Sequence, residues 1–193
     1  MAGRIDLADG RVWAFGALAA VTAIGLVHRG SAIRNVEVDW VLLDRAVTAW
    51  KVTYNRSGAY KQFASEMGIE PIAFGSTRVA FRLPSGHVLK LPWGKEGKRA
   101  NVSERDAWKA SGLDSEVRDF LVPVLAGDED YVLMEYAKRA PWTSSKAFRV
   151  RYARWEKLVD QKRPGACSGD YGLKMNWGIH GGKYKLLDYE CDE

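Results

Sequence analysis

Cysteine and histidine are both scarce in this chain of 193 residues, which holds two cysteines, Cys167 and Cys191, and three histidines, His28, His87 and His180. Two thiols make no disulfide framework and fall short of the roughly four ligands of a structural zinc site. They read as free thiols in a reducing compartment. The histidines lie far apart with no metal-ligand spacing, which sets aside a His-based hydrolase or a zinc enzyme. Charge of one sign is lacking too. Twenty-nine basic residues against 24 acidic ones leave a net charge of +5, too mild to imply nucleic acid by itself. Internal repeats and low-complexity tracts are absent. A hydrophobic fraction of 47% and a charged fraction of 27% place the chain among globular proteins and exclude a disordered or collagenous one. At about 150 residues per domain, the length predicts one domain with an appendage.

The appendage is apolar. Val12 to Val27 carries no charge over 16 residues. As a helix it would extend ~24 Å, somewhat less than a hydrocarbon core of ~30 Å. A membrane anchor, a docking helix and a cleaved signal peptide compete here, and the acids of MAGRIDLADGR argue against the last. Arg29, Arg34 and Arg45 follow the run, while Arg4 and Arg11 precede it beside Asp6 and Asp9. For an anchor, this asymmetry puts the following domain in the cytoplasm. The localisation expected is thus cytoplasmic, or membrane-anchored with a cytoplasmic domain. Three segments result: 1–35 apolar, 36–67 a helical lead-in, and 68–193 the main domain.

In the lead-in, Trp40, Leu43, Val47, Trp50 and Tyr54 fall at helical steps after Asp39, a helix packing an aromatic stripe on a core. A second helix spans Ala59 to Met67 and ends at Gly68. Strand texture follows at Ile69–Phe74, Thr77–Leu83 and His87–Pro92, with Pro84-Ser85-Gly86 as a turn. Asn101 to Ser111 reads as a helix, Asn101 and Glu104 having capping-box spacing. Phe120–Ala126 and Tyr131–Tyr136 read as strands around the acidic turn 127–130. Lys146 to Arg163 is a basic amphipathic helix with Phe148, Tyr152, Trp155 and Val159 on one face. Asn176 to Ile179, a Gly181-Gly182 hairpin turn and Tyr184–Leu187 close the chain.

The order of these parts suits a nucleoside triphosphate. A small-residue loop, Gly75-Ser76-Thr77, brings backbone N–H groups toward phosphate oxygens. Lys90, on the apolar strand Val88-Leu89-Lys90-Leu91, supplies charge to phosphates and needs a carboxylate to hold its stem, for which Glu104 is the candidate. Asn176 and Asp188 offer the hard oxygens that Mg²⁺ prefers. Each also has an ordinary structural alternative: a snorkelling lysine, a capping acid, a turn aspartate.

On these residues the chain resembles the protein-kinase-like fold, in the reduced form of small phage-encoded kinase-like proteins. The resemblance covers about Gly68 to Cys191. It implies an α+β fold, with an antiparallel N-lobe sheet, an αC-type helix and a truncated C-lobe behind the apolar N-terminal helix. Gly75 to Phe81 is similar to the Gly-rich loop and Val88-Leu89-Lys90 to V-A-I-K, with Glu104 as the partner of Lys90. Val132 to Ala137 resembles the strand entering the hinge. The resemblance implies that the backbone of Glu135 and Ala137 holds adenine, with Met134 near the gatekeeper position. Asp170 to Asn176 resembles H-R-D-x-x-x-x-N and Leu186 to Glu190 the strand into D-F-G. The implied cofactors are ATP and Mg²⁺, the metal on Asn176 and Asp188, with Asp170 orienting a substrate hydroxyl.

Three functions are expected from this reading. The first is an ATP-binding, kinase-like phosphotransferase acting on a small molecule, a protein or itself. The second is a pseudokinase serving as a protein-binding module. Gly75 stands where the full loop has three glycines, Asp170 lies six rather than five residues before Asn176, and Glu190 replaces the D-F-G glycine. No A-P-E motif follows Asp188, so ATP binding is better supported than protein phosphorylation. The third is a nucleic-acid or anionic-lipid binder using Arg149, Arg151, Arg154 and Lys157, with nucleic acid the less favoured partner.

Overall fold

The computed structural model describes residues 37–54, 58–140, 145–162 and 174–189. They belong to one compact unit, Asn35–Glu193, of mixed α+β type built around an antiparallel sheet. The apolar run Val12–Val27 and Asp170 lie outside the described residues. Among the described residues, no helix is long and apolar enough to cross a membrane.

Helix α1 (Trp40–Ala49) starts where the Asp39 side chain accepts a hydrogen bond from the Leu42 N–H at 2.9 Å, which satisfies one orphan donor of the first turn. It continues as a π-helical turn, Trp50–Tyr54. The stripe that reaches the core is Leu43, Ala46 and Trp50, whereas Trp40 is exposed, a shift of the buried face from the one expected. Helix α2 (Tyr60–Met67) ends at Gly68 in the left-handed conformation, φ 67°, where the Ile69 N–H bonds back to Ala64 and closes the helix end.

Strands β1 (Glu70–Phe74), β2 (Arg78–Arg82), β3 (Val88–Pro92), β4 (Val124–Gly127) and β5 (Val132–Met134) form one antiparallel sheet in the order β1-β2-β3-β5-β4. The β2–β3 register sets Ala80 opposite Lys90 and Val79 opposite Leu91. Because side chains alternate, Val79, Phe81, Leu89, Leu91 and Leu133 share one face. They pack there with Leu43, Trp50 and Phe63 of the lead-in helices. The Trp50 ring meets Phe63 edge-on at 5.0 Å, and its indole N–H donates to the Pro92 carbonyl at 2.9 Å, so the buried tryptophan satisfies its polar tip.

The opposite face carries Arg78, Ala80, Val88, Lys90, Val132 and Met134. Between β3 and β4 the chain forms α3 (Gly94–Ser111) and α4 (Ser115–Phe120). Helix α3 begins seven residues before the expected start at Asn101. Asn101 is no cap: it is buried, and its side-chain amide donates to the Glu129 carbonyl at 3.1 Å. The expected strand Phe120–Ala126 is likewise corrected, since Phe120 closes α4 and β4 starts only at Val124. Asp114 explains the extra helix, its carboxylate accepting from the N–H groups of Glu116 and Val117 in the N-cap manner.

A second antiparallel sheet joins β6 (Lys138–Arg139), β7 (Trp177–His180) and β8 (Lys183–Leu186). The β7–β8 turn is Gly181-Gly182, both at positive φ, as a tight hairpin turn requires. Helix α5 (Lys146–Lys162) buries Phe148, Trp155 and Leu158 against Phe120, Trp177 and Leu186, in a core continuous with Val88, Val132 and Met134.

Gly97 marks the closest approach of α3 to the sheet. A Cβ there would stand 2.2 Å from the Thr77 carbonyl oxygen and 2.8 Å from Pro92. Alanine gains about 1 kcal/mol of helix propensity over glycine, but a clash with backbone has no soft side chain to yield, and overpacking costs about 1–3 kcal/mol or more. The clash wins, so Gly97→Ala is expected to lower unfolding free energy by at least about 1 kcal/mol in a urea titration. An unchanged or raised value would contradict this packing.

Candidate functional site

Four charged side chains meet on the Val88–Lys90 face of the sheet. Lys90, at the middle of β3, donates from Nζ to both Glu104 oxygens at 2.8 and 2.9 Å, to the Leu187 carbonyl at 2.7 Å and to Asp188 Oδ1 at 3.3 Å. Glu104 lies in α3 with no exposed surface. The capping-box reading of Glu104 is therefore corrected: it stands mid-helix as the counter-ion of Lys90, as a lysine on an apolar strand requires. Arg78, the first residue of β2, adds a second cation. Its Nη1 donates to Glu104 Oε2 at 2.8 Å and its Nη2 ion-pairs with Asp188.

The cluster thus holds two cations and two carboxylates. Carboxylates away from water are costly unless paired and hydrogen-bonded, and Glu104 takes its compensation from Lys90 and Arg78. Asp188 is less enclosed, its side chain 36% exposed. Burial works against its charge, but the nearby positive charges of Lys90 and Arg78 outweigh that and hold its carboxyl below the usual range.

Backbone contacts deliver Asp188 to this place. The Leu187 N–H donates to the Asn176 carbonyl at 2.7 Å and the Val122 N–H to the Leu186 carbonyl at 3.1 Å. Tyr189 is buried behind them, its hydroxyl donating to the Val122 carbonyl at 2.9 Å. Burial, reinforced by the Glu104 charge, pushes this phenol far above its ordinary pKa. Asn176 and Asp188 are thereby neighbours through Leu187, at the two ends of the β7–β8 hairpin.

The remaining expected residues are placed less directly. The Gly75 N–H is taken by the Arg78 carbonyl at 2.8 Å, which closes the β1–β2 connection and removes that donor from any ligand. Ser76 is exposed at its tip. Beyond β5, the Glu135 N–H donates to the Pro123 carbonyl at 3.0 Å, so that donor is taken within the fold. The Glu135 carboxylate meets the His180 ring, and that hydrogen bond holds it below the ordinary glutamate range against burial. Ala137 is buried. A Cβ on Gly178 would stand 3.0 Å from the Ala137 Cβ and 2.8 Å from Leu187, so a glycine is what lets β7 lie under this segment.

Arg78 is the residue that sequence reasoning missed, because along the chain it stands only as part of the small-residue loop. The signal was charge arithmetic: two carboxylates around one lysine leave an unbalanced negative charge, and Arg78 shares the alternating face of Ala80, the register partner of Lys90. On α5, Arg151 donates to Asp119 at 2.9 Å and Arg154 to Glu116 at 2.8 Å. Two of the four cations expected to meet an anionic polymer are therefore engaged within the fold.

Magnesium demands near-octahedral oxygen coordination and gives up its water reluctantly. Asp188 Oδ1 already faces Lys90 and Arg78, and among the described residues no group of three or more His, Cys, Asp or Glu side chains could hold a metal ion. The positive charge already held on Asp188 by Lys90 and Arg78 works against Mg²⁺ there. No protein-family model matches the chain, and no curated protein matches it.

Removing the shared carboxylate should be costly. Glu104→Gln leaves two buried cations facing Asp188 alone, and breaking a buried pair from one side costs about 3–5 kcal/mol, readable as a lower urea midpoint. The depressed Asp188 carboxyl carries a pH signature. Its stabilisation is complete above the ordinary aspartate value of about 3.9 and is lost as pH falls below that value toward the folded-state one. Asp188→Asn should therefore flatten the fall in stability below about pH 5, and equal slopes for variant and wild type there would argue against the ion pairs.

Proposed function

We propose that the chain is an ATP-binding protein of the protein-kinase-like class, with Lys90 as its phosphate-facing cation. The observation that carries this reading is the reach of one ammonium group. Lys90 Nζ contacts Glu104, 14 residues away, and Asp188, 98 residues away. A lysine on the third strand, a glutamate on the following helix and an aspartate just past a hairpin are the parts a phosphate-binding site of this class uses. The strand order β1-β2-β3-β5-β4, with a helix leaving β3, supports the same reading. In this proposal Glu104 fixes the lysine stem so that its charge is pre-positioned. The Glu135 carbonyl and the Ala137 backbone meet the base just past the end of β5.

A second reading, a binding module without phosphoryl transfer, is favoured by one specific contact. Arg78 pairs with Asp188, the residue that would have to hold metal for transfer.

The experiment is the thermal midpoint of the full chain with and without millimolar ATP, beside Lys90→Met, which keeps Glu104 paired to Arg78. A ligand at ~100 times its Kd adds about 2.7 kcal/mol, or about 5–10 °C for a chain of this size. A shift in wild type that is absent from a folded Lys90→Met variant is the expected result. No shift at millimolar ATP rejects the nucleotide reading. Binding without release or transfer of the labelled γ-phosphate selects the binding module.

A further inference from the structure

We propose that Arg78 is a built-in counter-cation that takes the place of a divalent metal at Asp188, making the site metal-independent. The phosphate half of this inference rests on the nucleotide reading above, while the Asp188 half stands on geometry alone. A single guanidinium spans the cluster, with Nη1 on Glu104 Oε2 at 2.8 Å and Nη2 on Asp188. Arg78 is only 6% exposed, and the neighbouring β2–β3 register, Arg78 opposite Pro92, fixes its backbone. Its planar fork suits two carboxylates held at different places better than a lysine would.

Asp188 Oδ1 therefore takes two cations, Arg78 and Lys90. A divalent ion on the same carboxylate would stand within contact range of both, and like charges so placed repel strongly in a partly desolvated site. A lysine contact alone would leave room for a metal to compete. The arginine differs because it is permanently charged, buried, and anchored at its other end by Glu104. The loop before it points the same way. The Gly75 N–H is spent on the Arg78 carbonyl, so that loop donor offers nothing to a phosphate.

The test measures ATP affinity of the full chain in EDTA and in Mg²⁺, for wild type, Arg78→Gln and the charge-keeping Arg78→Lys, each checked for folding by circular dichroism. Wild type is expected to bind ATP with affinities within about threefold in the two conditions, and Arg78→Lys to fall between wild type and Arg78→Gln. Arg78→Gln should bind at least about tenfold more weakly in EDTA than in Mg²⁺. A tenfold or greater gain on adding Mg²⁺ to wild type overturns the proposal. A parallel titration uses Mn²⁺ alone, read by its paramagnetic resonance. Wild type should show no saturable site that Asp188→Asn removes, and Arg78→Gln should gain one that Arg78→Gln/Asp188→Asn loses. If ATP binds in neither condition, the nucleotide reading fails and the Mn²⁺ titration decides alone. The gain in Arg78→Gln then supports the counter-cation, and no gain, or an Asp188-dependent site in wild type, overturns it.

Discussion

Glu104 is a carboxylate with no exposed surface, and such a group is tolerated only where cations are brought to it. Its two cations come from neighbouring strands, Arg78 on β2 and Lys90 on β3. Holding both at once requires the register that sets Ala80 opposite Lys90 and Arg78 opposite Pro92. A slip of one residue would turn every side chain of a strand to the other face, placing Val79 where Arg78 must be. The same pair of cations then claims Asp188, and Lys90 adds the Leu187 carbonyl. The rotation of α3, the register of the sheet and the docking of the segment after β8 are all bound to one cluster of four charges.

The two faces of the sheet divide the work. One is dry, closed by α1, the π-helical turn and α2 around Trp50, Phe63 and Phe81. The other mixes the apolar core under Val88, Val132 and Met134 with the charge cluster. The charge cluster belongs to the second face, and the first backs it with an apolar core. Two glycines set the spacing: Gly97 lets α3 lie close to β3, and Gly178 lets β7 lie close to Ala137 and Leu187. A side chain at either would push apart elements that must stay within hydrogen-bond reach of Lys90.

Local chemistry was legible in the residues. Pro84-Ser85-Gly86 and Gly181-Gly182 turn where their composition says, with Gly86, Gly181 and Gly182 at positive φ, and Gly68 ends α2 as a left-handed cap. The partnership of Lys90 with Glu104 was also legible, because a lysine on an apolar strand needs a carboxylate. The start of α3 was not. Gly94 and Gly97 fall in its first turn, and the sheet leaves Gly97 no room for a Cβ. Asn101 and Glu104 have the spacing of a cap but face inward, where the Glu129 carbonyl and two cations bind them more strongly than the helix end would. Leu121 to Pro123 looks like strand by composition. In the fold it is the connection after α4, whose carbonyls accept from the Glu135 N–H and the Tyr189 hydroxyl and whose Val122 N–H donates to the Leu186 carbonyl at the end of β8.

Order and alternation along the chain thus specified most of the helices and strands, since turn geometry and side-chain period act over a few neighbouring residues. The identity of the site depended on contacts between residues far apart. Arg78 meets Glu104 across 26 positions and Asp188 across 110, and no local pattern encodes which carboxylate a distant cation will find. That choice was made by packing, through the closeness of α3 to the sheet, the fixed strand register and the high cost of leaving any one of the buried charges alone.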